Sequence, residues 1–308
     1  MIYTLTLNPA LDRTLFINSI KADDSNRIEK EERFAGGKGI DVSRVLNELE
    51  VPNIALGFAG GFAGDELEGR LINEGIGCRF IRIREETRTN IILNDLTTHH
   101  QTVFSAKGPG IEPFELIRLV RLIESLENPE IFIISGSIPE GVHSEIYRKI
   151  IDQVRSQGAY VALDTDGAAL KAGIQAGPQL IKPNIHELSR LIGRELGTIP
   201  EIVSAAQDLV AKGIETVLVS MGPRGILMVT AATVLQAVPP AVKVVNTIGA
   251  GDSSVAGFIA ARTSGLEAAE CLRYAVAAGT ATTLQTGTAL GKKEDIAELL
   301  NRISVKPV

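Results

Sequence analysis

The apolar positions in the second half of the chain fall into short runs separated by longer amphipathic stretches. The runs predict strands at Ile131–Ile134, Tyr160–Leu163, Leu180–Ile181, Thr216–Val219 and Gly225–Val229. The stretches with a helical period are Pro113–Leu126, His143–Gln157 and Pro200–Lys212. Continuous apolar strands that alternate with helices are typical of a parallel sheet covered on both faces. We therefore expect an α/β fold with a mostly parallel sheet flanked by helices.

The first third of the chain follows another pattern. Ile2–Leu7 predicts a strand, whereas Asn8–Glu32 has no helical period and carries scattered charge. Thr87–Ser105 alternates in a strand-like way around a polar turn at His99 and His100. We expect segments of about 11–34 and 87–107 to form a small sheet that covers the rim of the main sheet as a lid, within a single domain of 1–308.

Most of the predicted strands in the second half end in a polar or glycine-containing segment. These segments are Ser135-Gly-Ser137, Asp164-Thr-Asp-Gly167, Lys182-Pro-Asn184 and Ser220-Met-Gly222. Ligands of open α/β sheets bind outside the carboxyl ends of the strands. The four segments therefore predict a single ligand-binding rim.

The most informative motif runs from Asn246 to Ser254 and leads into an apolar helix. Gly249 and Gly251 allow a tight turn, and the first N–H groups of a helix have no intrahelical partner. Such a turn can hold a phosphate, and Asp252 beside it can accept a proton from an attacking hydroxyl. Together they suit phosphoryl transfer to an alcohol, while the alternative is an ordinary helix N-cap.

Two further glycine motifs precede helix-like sequence. Gly36-Gly-Lys-Gly39 leads into an amphipathic helix, so Lys38 could meet a phosphate; the alternative is a flexible turn with a solvated lysine. Gly60-Gly-Phe-Ala-Gly-Asp65 is interpreted as a strand-to-helix turn capped by Asp65. The chain contains neither the GxxxxGK[ST] of a P-loop nor the GxGxxG of a dinucleotide-binding fold.

Several isolated polar residues have both a functional and a structural interpretation. Arg88 with Asn90 suits the binding of a phosphate or a carboxylate. The alternative is that Arg88 is an exposed charge on an edge strand, where it disfavours pairing with another chain. Glu187, three residues after Asn184, could orient a Mg²⁺-bound water, or it could be a surface residue beside a cap. Asp12 follows Asn8-Pro9, and the turn-forming preference of these residues is a full alternative explanation of the segment.

The bulk properties narrow the class of protein. A net charge of −6 over 308 residues disfavours nucleic acid or an anionic membrane as a partner. No apolar run approaches the roughly 20 residues of a membrane span, and Met1 leads directly into a predicted strand. Cys78 and Cys271 form no disulfide framework, and the four histidines have no zinc spacing. We expect a cytoplasmic protein whose histidines are surface or hydrogen-bonded residues.

Seven segments occur along the chain in a definite order. They are Asn8-Pro-Ala-Leu-Asp12, Gly36-Gly-Lys-Gly39, Gly60-Gly-Phe-Ala-Gly-Asp65, Thr87-Arg-Thr-Asn90, Ser135-Gly-Ser-Ile-Pro139, Lys182-Pro-Asn-Ile-His-Glu-Leu188 and Thr247-Ile-Gly-Ala-Gly-Asp-Ser253. In this order and spacing they resemble the ribokinase-like carbohydrate kinases of the PfkB family, over essentially the whole chain. Within it they are similar to the branch acting on phosphorylated ketohexoses. Ala277–Thr288, with Pro239-Pro240, is most similar to the minor-type bacterial 6-phosphofructokinases.

The resemblance implies ATP- and Mg²⁺-dependent phosphoryl transfer to the primary hydroxyl of a ketohexose monophosphate, with fructose 6-phosphate as the leading substrate. Asp252 is implied as the base, and the N–H groups of Gly249, Ala250 and Gly251 as the anion hole. The residues implied to hold the sugar or its phosphate are Asp12, Arg27, Gly37, Lys38, Asp41, Arg88, Asn90 and Ser137. Those implied to serve ATP are Lys182, Asn184, Glu187, Ser220, Gly222, Gly225 and Gly279, with Glu187 holding Mg²⁺ through water. A homodimer through the lid strands is also implied.

Two positions depart from the family and bear on the substrate. The family usually has Asn where this chain has Asp41, and a carboxylate there would repel a nearby phosphate. Gln101-Thr-Val-Phe-Ser105 lacks an acidic stretch common in 1-phosphofructokinases, which favours a 6-phosphate. The alternatives are 1-phosphofructokinase, tagatose-6-phosphate kinase, a kinase of an unphosphorylated sugar or nucleoside, and a non-catalytic sensor on the same fold.

Overall fold

The computed structural model describes residues 1–98 and 100–308. The strands within these ranges are β1 (Ile2–Thr6), β2 (Ala10–Ile17), β3 (Lys30–Gly36), β4 (Asn53–Ala59), β5 (Gly77–Arg82), β6 (Arg88–Asp95), β7 (Gln101–Phe104), β8 (Ile131–Ser135), β9 (Tyr160–Asp164), β10 (Leu180–Ile181), β11 (Thr216–Ser220), β12 (Ile226–Val229), β13 (Val234–Val238) and β14 (Ser304–Pro307). The helices are α1 (Lys38–Glu48), α2 (Gly61–Asn73), α3 (Pro113–Glu124), α4 (Ile146–Ser156), α5 (Gly167–Gly173), α6 (Ile185–Ile192), α7 (Ile199–Ala211), α8 (Ala250–Thr263), α9 (Ala268–Thr283) and α10 (Lys293–Leu300).

The main sheet has the strand order β14-β13-β12-β11-β10-β9-β8-β1-β4-β5. From β11 to β5 all neighbouring strands are parallel, so their carboxyl ends lie along one edge. Except for the edge strand β5, these strands are largely buried on both sides because helices cover both faces. The expected mostly parallel α/β sheet is confirmed.

One predicted strand differs in direction from the parallel arrangement. β12, predicted at Gly225–Val229, runs antiparallel to β11, and β13 and β14 continue the antiparallel edge. The reason is the connection: only a short turn around Gly222–Arg224 separates β11 from β12. A parallel crossover needs a dozen or more residues, usually including a helix.

Two layers of helices bury the faces of the main sheet. α3 to α7 pack on one face, where Leu119, Tyr147 and Ile202 are fully buried. α1, α8, α9 and α10 pack on the other, around residues such as Val45 and Leu272. None of the helices in the described ranges is long and apolar enough to cross a membrane.

A separate four-stranded sheet has the order β3-β2-β6-β7. β2 and β6 are parallel neighbours, and β3 and β7 flank them in antiparallel pairing. This small sheet confirms the strand-like segments predicted in the first third of the chain. Of the predicted turn at His99 and His100, His99 lies outside the described residues.

The cap predicted for α2 is wrong. Gly60 is the N-cap residue and has no side-chain cap, while Asp65 pairs with Arg82 on β5. One of the free N–H groups is instead satisfied from the loop before β6, because Ala63 donates to Glu86 over 3.1 Å. A capping carboxylate distant in sequence leaves no local signal.

Candidate active site

The four strand-end segments predicted to share a rim are joined by direct contacts. The N–H of Gly136 donates to the carbonyl of Asp164 over 3.0 Å. The Asp164 side chain pairs with Lys182, and the N–H of Ser220 donates to the carbonyl of Pro183 over 3.1 Å. β8 to β11 therefore deliver their terminal residues to one continuous edge, as the sequence predicts.

Asp164, the last residue of β9, lies at the centre of the charged groups. Its side chain is 1% exposed and lies 3.2 Å from Nζ of Lys182 and 3.4 Å from Nζ of Lys38. Burial alone would raise the pKa of Asp164, but the two ammonium groups outweigh burial and hold that pKa below its usual value. In turn, the charge of Asp164 raises the pKa of Lys38, so Lys38 stays charged.

The glycine-rich motif forms the turn into α8. Gly249 is the N-cap residue with a φ of 74°, and Asp252 follows in the first helical turn. Asp252 therefore lies inside the helix, and the ordinary N-cap alternative does not account for it. Burial, and then the charge of Asp164, raise the pKa of Asp252 to about 7 against the opposing charges of Lys38 and Lys182. A buried carboxyl with a pKa near neutrality is suited to act as a general base.

The surroundings of this turn suit an anion. A β-carbon placed on Gly251 would lie 3.1 Å from Nζ of Lys182, so this ammonium group approaches the turn. Asn246 fixes the entry to the turn, because its amide donates to the carbonyls of Gln285 and Gly287 over 2.9 Å and 2.8 Å. Free N–H groups at a helix start attract negative charge, which Lys182 reinforces. We call the turn at Gly249–Gly251 the anion cradle.

Gly279 packs against the back of the anion cradle. A β-carbon there would overlap Oγ of Ser254 and lie 2.9 Å from the carbonyl oxygen of Ala250. The absence of a side chain lets α9 approach the first turn of α8. Its expected contribution to the nucleotide slot stays a prediction.

Asp12 and Asn90 face each other across β2 and β6. Nδ2 of Asn90 donates to Oδ1 of Asp12 over 2.8 Å, while Oδ1 of Asn90 accepts from the N–H of Ala106 over 3.1 Å. Burial raises the pKa of Asp12, and the bond from Asn90 opposes that rise. A β-carbon on Gly36 would overlap the Asp12 carboxylate, so β3 needs glycine at this position. The small sheet thus supplies one oriented carboxylate.

Arg88 anchors the small sheet. Its guanidinium donates to the carbonyl of Ala106 over 2.8 Å and to that of Asn8 over 2.9 Å. These bonds tie the start of β6 to two loops, which differs from an exposed edge charge. The Asn8 side chain donates to Oγ of Ser137 over 3.3 Å, which links Ser137 to the same group. Contact of Arg88 with a phosphate stays a prediction.

Gly37 and Asp41 shape the start of α1. Gly37 is its N-cap residue with a φ of 113°. Asp41, in the first turn, is buried, and its Oδ2 lies 4.0 Å from a β-carbon placed on Gly249. Asp41 therefore borders the anion cradle.

Arg27 is the site residue that a single chain does not bring to the others. It lies in the exposed loop between β2 and β3, where Phe16 pairs with Lys30. Asp12 is near the opposite end of the same strands, paired with Phe34. A role for Arg27 at the substrate therefore stays a prediction.

Asn184 and Glu187 form a capping box at the start of α6. Oδ1 of Asn184 accepts from the N–H of Glu187 over 2.9 Å, and Oε2 of Glu187 accepts from the N–H of Asn184 over 2.8 Å. The cap is thus present, but Glu187 is not a surface residue. It is buried, and its Oε1 lies 4.0 Å from Nζ of Lys38.

The remaining predicted nucleotide residues follow β11. Ser220 forms an isolated bridge with Asn184, which joins this segment to the capping box. Gly222 and Gly225 have φ values of 59° and 81°. A β-carbon on Gly225 would overlap the carbonyl of Ala237 on β13, so the turn into β12 needs glycine there.

The sequence profile described as pfkB family carbohydrate kinase matches residues 5–295. The chain belongs to the PfkB family. The 1-phosphofructokinase of Bacillus subtilis (strain 168) is 36% identical over 99% of each chain. The crystal structure of phosphofructokinase-2 from Escherichia coli in complex with fructose-6-phosphate has a TM-score of 0.92 at 33% identity over 98% of each chain. Arabidopsis thaliana ribokinase complexed with ribose and ATP has a TM-score of 0.77 at 22% identity, covering 97% of this chain and 98% of that one, and shows the ribokinase-like fold alone.

The structure brings further residues to the candidate site of this PfkB kinase, to which the sequence assigned no individual role. Asp164 was only part of a strand-end segment, although it pairs with both lysines. Tyr147 and Thr165 donate their hydroxyls to the carbonyl of Gly136 over 3.1 Å and 2.8 Å, which fixes the turn before Ser137. Asp164 could have been identified from the sequence because it ends a strand at the predicted shared edge. Tyr147 lies within a helical period and gives no such signal.

Proposed function

We propose that this PfkB kinase transfers the terminal phosphoryl group of ATP to the free primary hydroxyl of a ketohexose monophosphate, which yields a ketohexose bisphosphate. The observation that carries the proposal is the position of Asp252, a buried carboxyl beside the anion cradle with a pKa raised to about 7. Lys38 and Lys182 lie at the same place, paired with Asp164.

Asp252 accepts the proton of the attacking hydroxyl. The hydroxyl oxygen then forms a bond to phosphorus, and the bond from phosphorus to the bridging oxygen of the departing diphosphate breaks. Lys38 and Lys182 favour the charged form of Asp252, so the base is available near neutral pH. A positioned general base contributes about 10²–10⁴-fold to the rate.

The anion cradle stabilises negative charge on the phosphoryl group during transfer. The turn holds the N–H groups of Gly249, Ala250 and Gly251 in place, although that of Ala250 also donates to the carbonyl of Thr247 over 3.4 Å, and Nζ of Lys182 adds a full positive charge beside them. Donors held in place before the reaction need little reorganisation, which is why such groups contribute strongly to catalysis.

Glu187 and Asn184 are the residues that would hold Mg²⁺, with Glu187 acting through water. The described residues contain no group of three or more acidic, histidine or cysteine side chains able to enclose a metal ion. That fits Mg²⁺, which is usually held by one or two carboxylates together with waters and substrate phosphates. When bound, the ion supplies neutralisation of phosphate charge.

Two sugar phosphates are the leading substrates. Fructose 6-phosphate offers its C1 hydroxyl and fructose 1-phosphate its C6 hydroxyl, and both give fructose 1,6-bisphosphate. The uncharged strand Gln101–Phe104 favours the first, and the similarity to a 1-phosphofructokinase favours the second. Tagatose 6-phosphate is a third candidate.

A homodimer through the lid strands is part of the proposal. The small sheet and its loops expose apolar side chains: Ile20, Ile28, Leu96, Val103 and Phe104. Several exposed apolar side chains on one small sheet are consistent with an interaction site. Pairing of two lids would bury these side chains and would bring Arg27 near the site of the partner.

Phe104→Asp should then shift the sedimentation of the protein from dimer to monomer, whereas no shift would contradict the lid interface.

The substrate is tested by ADP release with Mg-ATP against fructose 6-phosphate, fructose 1-phosphate, tagatose 6-phosphate, fructose, ribose and adenosine. We expect the highest kcat/KM with one phosphorylated ketohexose. Turnover only of an unphosphorylated sugar or nucleoside would retain Asp252 as base but refute the proposed substrate class. Binding of ATP and sugar phosphate without turnover would establish a sensor instead.

Arg88→Ala tests the phosphate on the sugar. Because a hydrogen bond to a charged group contributes about 1.5–3 kcal/mol, the KM of the sugar phosphate should rise about tenfold or more. Arg84→Ala, an exposed arginine just before the same strand, is the matched control. Since Arg88 also anchors the small sheet, the KM of ATP is measured in parallel, and an equal rise in both constants would mean that the anchor alone was lost.

A further inference from the structure

Three carboxylates, Asp12, Asp41 and Asp252, come from three different elements. Asp12 lies on β2, Asp41 in the first turn of α1 and Asp252 in the first turn of α8. All three are buried, and the charges of Asp252 and Asp12 both act on Asp41. Because like charges at close range disfavour one another, ionisation of all three carboxyl groups together is costly.

The positive charges are unevenly shared between Asp41 and Asp252. Asp252 is flanked by Lys38 and Lys182, which both favour its ionised form. Asp41 has Arg44, whose Nη1 lies 3.7 Å from its Oδ1, beyond hydrogen-bond distance.

Arg44 is also engaged elsewhere. Its Nε donates to Glu74 over 3.0 Å, and its Nη1 donates to the carbonyl of Ala35 over 3.3 Å. The charged groups facing Asp41 are therefore Asp252 from α8, Asp12 from β2, Glu74 after α2 and Arg44 from its own helix. Three negative charges oppose one shared positive charge, and burial acts in the same direction, so the pKa of Asp41 lies well above its usual value.

We propose that Asp41 works as a neutral carboxyl group and donates a hydrogen bond to substrate oxygens held at the anion cradle, while Asp252 beside it works as a carboxylate. The proposal rests on the proposed function for the identity of those oxygens. A protonated carboxyl has one donor and remaining acceptor capacity, as an amide does. Its Oδ2, 4.0 Å from a β-carbon on Gly249, borders the cradle.

The consequence is an alkaline limit on activity. Asp252 must lose its proton to act, whereas Asp41 must keep its proton. Above the pKa of Asp41 a second negative charge forms beside the anion cradle and repels the incoming phosphoryl group. The kcat/KM of the wild-type enzyme should then fall on the alkaline side.

The test compares pH profiles of kcat/KM for the wild type, Asp41→Asn and Asp41→Ser, with Mg-ATP and the preferred sugar phosphate. Asn and Ser donate a hydrogen bond and do not ionise. The ratio of variant to wild-type kcat/KM should be constant below the pKa of Asp41 and should rise about tenfold per pH unit above it, because one proton is titrated. Asp208→Asn, at an exposed aspartate of α7, should give a ratio that does not change with pH. Parallel profiles for wild type and both Asp41 variants would overturn the proposal.

A second readout needs no substrate. The folded pKa of Asp41 is raised above its unfolded value, so folded wild-type protein binds more protons between the two values and loses stability as pH rises through that window. Asn at this position does not titrate. The urea midpoint of Asp41→Asn minus that of the wild type should therefore grow with pH, and a constant difference would overturn the proposal. If no sugar phosphate is turned over, the proposed function fails while this measurement still decides whether Asp41 holds a proton.

Discussion

Asp164→Asn is the change that most sharply tests the charge arrangement of the site. Asn has the shape of Asp, so the substitution creates no cavity and removes only the negative charge. Two ammonium groups lose their partner: Lys182, whose side chain is 5% exposed, and Lys38, at 38%. Water can hydrate Lys38 but not Lys182, so one buried charge loses its ion-pair partner.

The expected loss of stability follows from the one buried ammonium group, that of Lys182, which loses its partner. Removing one partner of a buried ion pair costs about 3–5 kcal/mol. Asp252 lies near enough to Lys182 to compensate part of the charge. We therefore expect the free energy of unfolding to fall by about 3 kcal/mol, at the lower end of that range.

Urea unfolding at pH 7 measures this difference, with Asp166→Asn as the matched control. Asp166 lies two residues further along and pairs with Arg190, but both side chains are well exposed. An exposed ion pair is worth about 0–1 kcal/mol, and Asn still caps α5, so the control should be nearly as stable as the wild type. Equal stability of the two variants would refute the central role of Asp164.

The pH profile of Asp164→Asn supplies an independent check. The charge of Asp164 raises the pKa of Asp252, so its removal should lower that pKa. The acid limb of kcat/KM should then move to lower pH, whatever the absolute rate of the variant. An acid limb that stays in place would mean that Asp164 does not act on the base.

Three further predictions concern the cradle and the base. Asp252→Asn should lower kcat by about 10²–10⁴-fold with little change in ATP affinity by calorimetry, and a few-fold loss would remove Asp252 as base. Since the pKa of Asp252 is raised to about 7, kcat/KM of the wild type should fall about tenfold per pH unit below it, and a flat profile from pH 7 to 5 would contradict that assignment. Gly249→Ala should cost about 1–2 kcal/mol from its φ of 74°, plus a clash with Leu290 at 2.7 Å, and should depress kcat more than the KM of the sugar. Gly213→Ala, also at positive φ but with open space, is its stability control, and equal kcat in both variants would contradict a role for the cradle geometry.

The sequence predicts the parts of the fold whose signals are local. The apolar runs of β8 to β11 are continuous, and each ends in a polar segment, so both the strands and their shared edge can be predicted. The direction of β12 was missed because the pattern does not distinguish parallel from antiparallel pairing. Only the length of the connection at Gly222–Arg224 settles it.

The parts of the site that escaped prediction depend on contacts between distant segments. Asp164 resembles any residue that ends a strand, and its pairing with Lys38 joins positions 126 residues apart. The sequence predicts that the guanidinium of Arg88 is available to bind a phosphate. In the structure it donates to the carbonyls of Asn8 and Ala106. In each case the sequence shows the residue type but not the distant partner that decides its role.

The arrangement around Asp164 couples the placement of the two lysines to the pKa of Asp252. Lys38 opens α1 and Lys182 follows β10, and one buried carboxylate on β9 holds both. The positive charges are therefore in place before a substrate binds, which limits reorganisation during transfer. The charge of the same carboxylate also raises the pKa of Asp252. A change at Asp164 should therefore alter both the lysines and Asp252, whereas a change at Asn90 acts first on Asp12 and the small sheet.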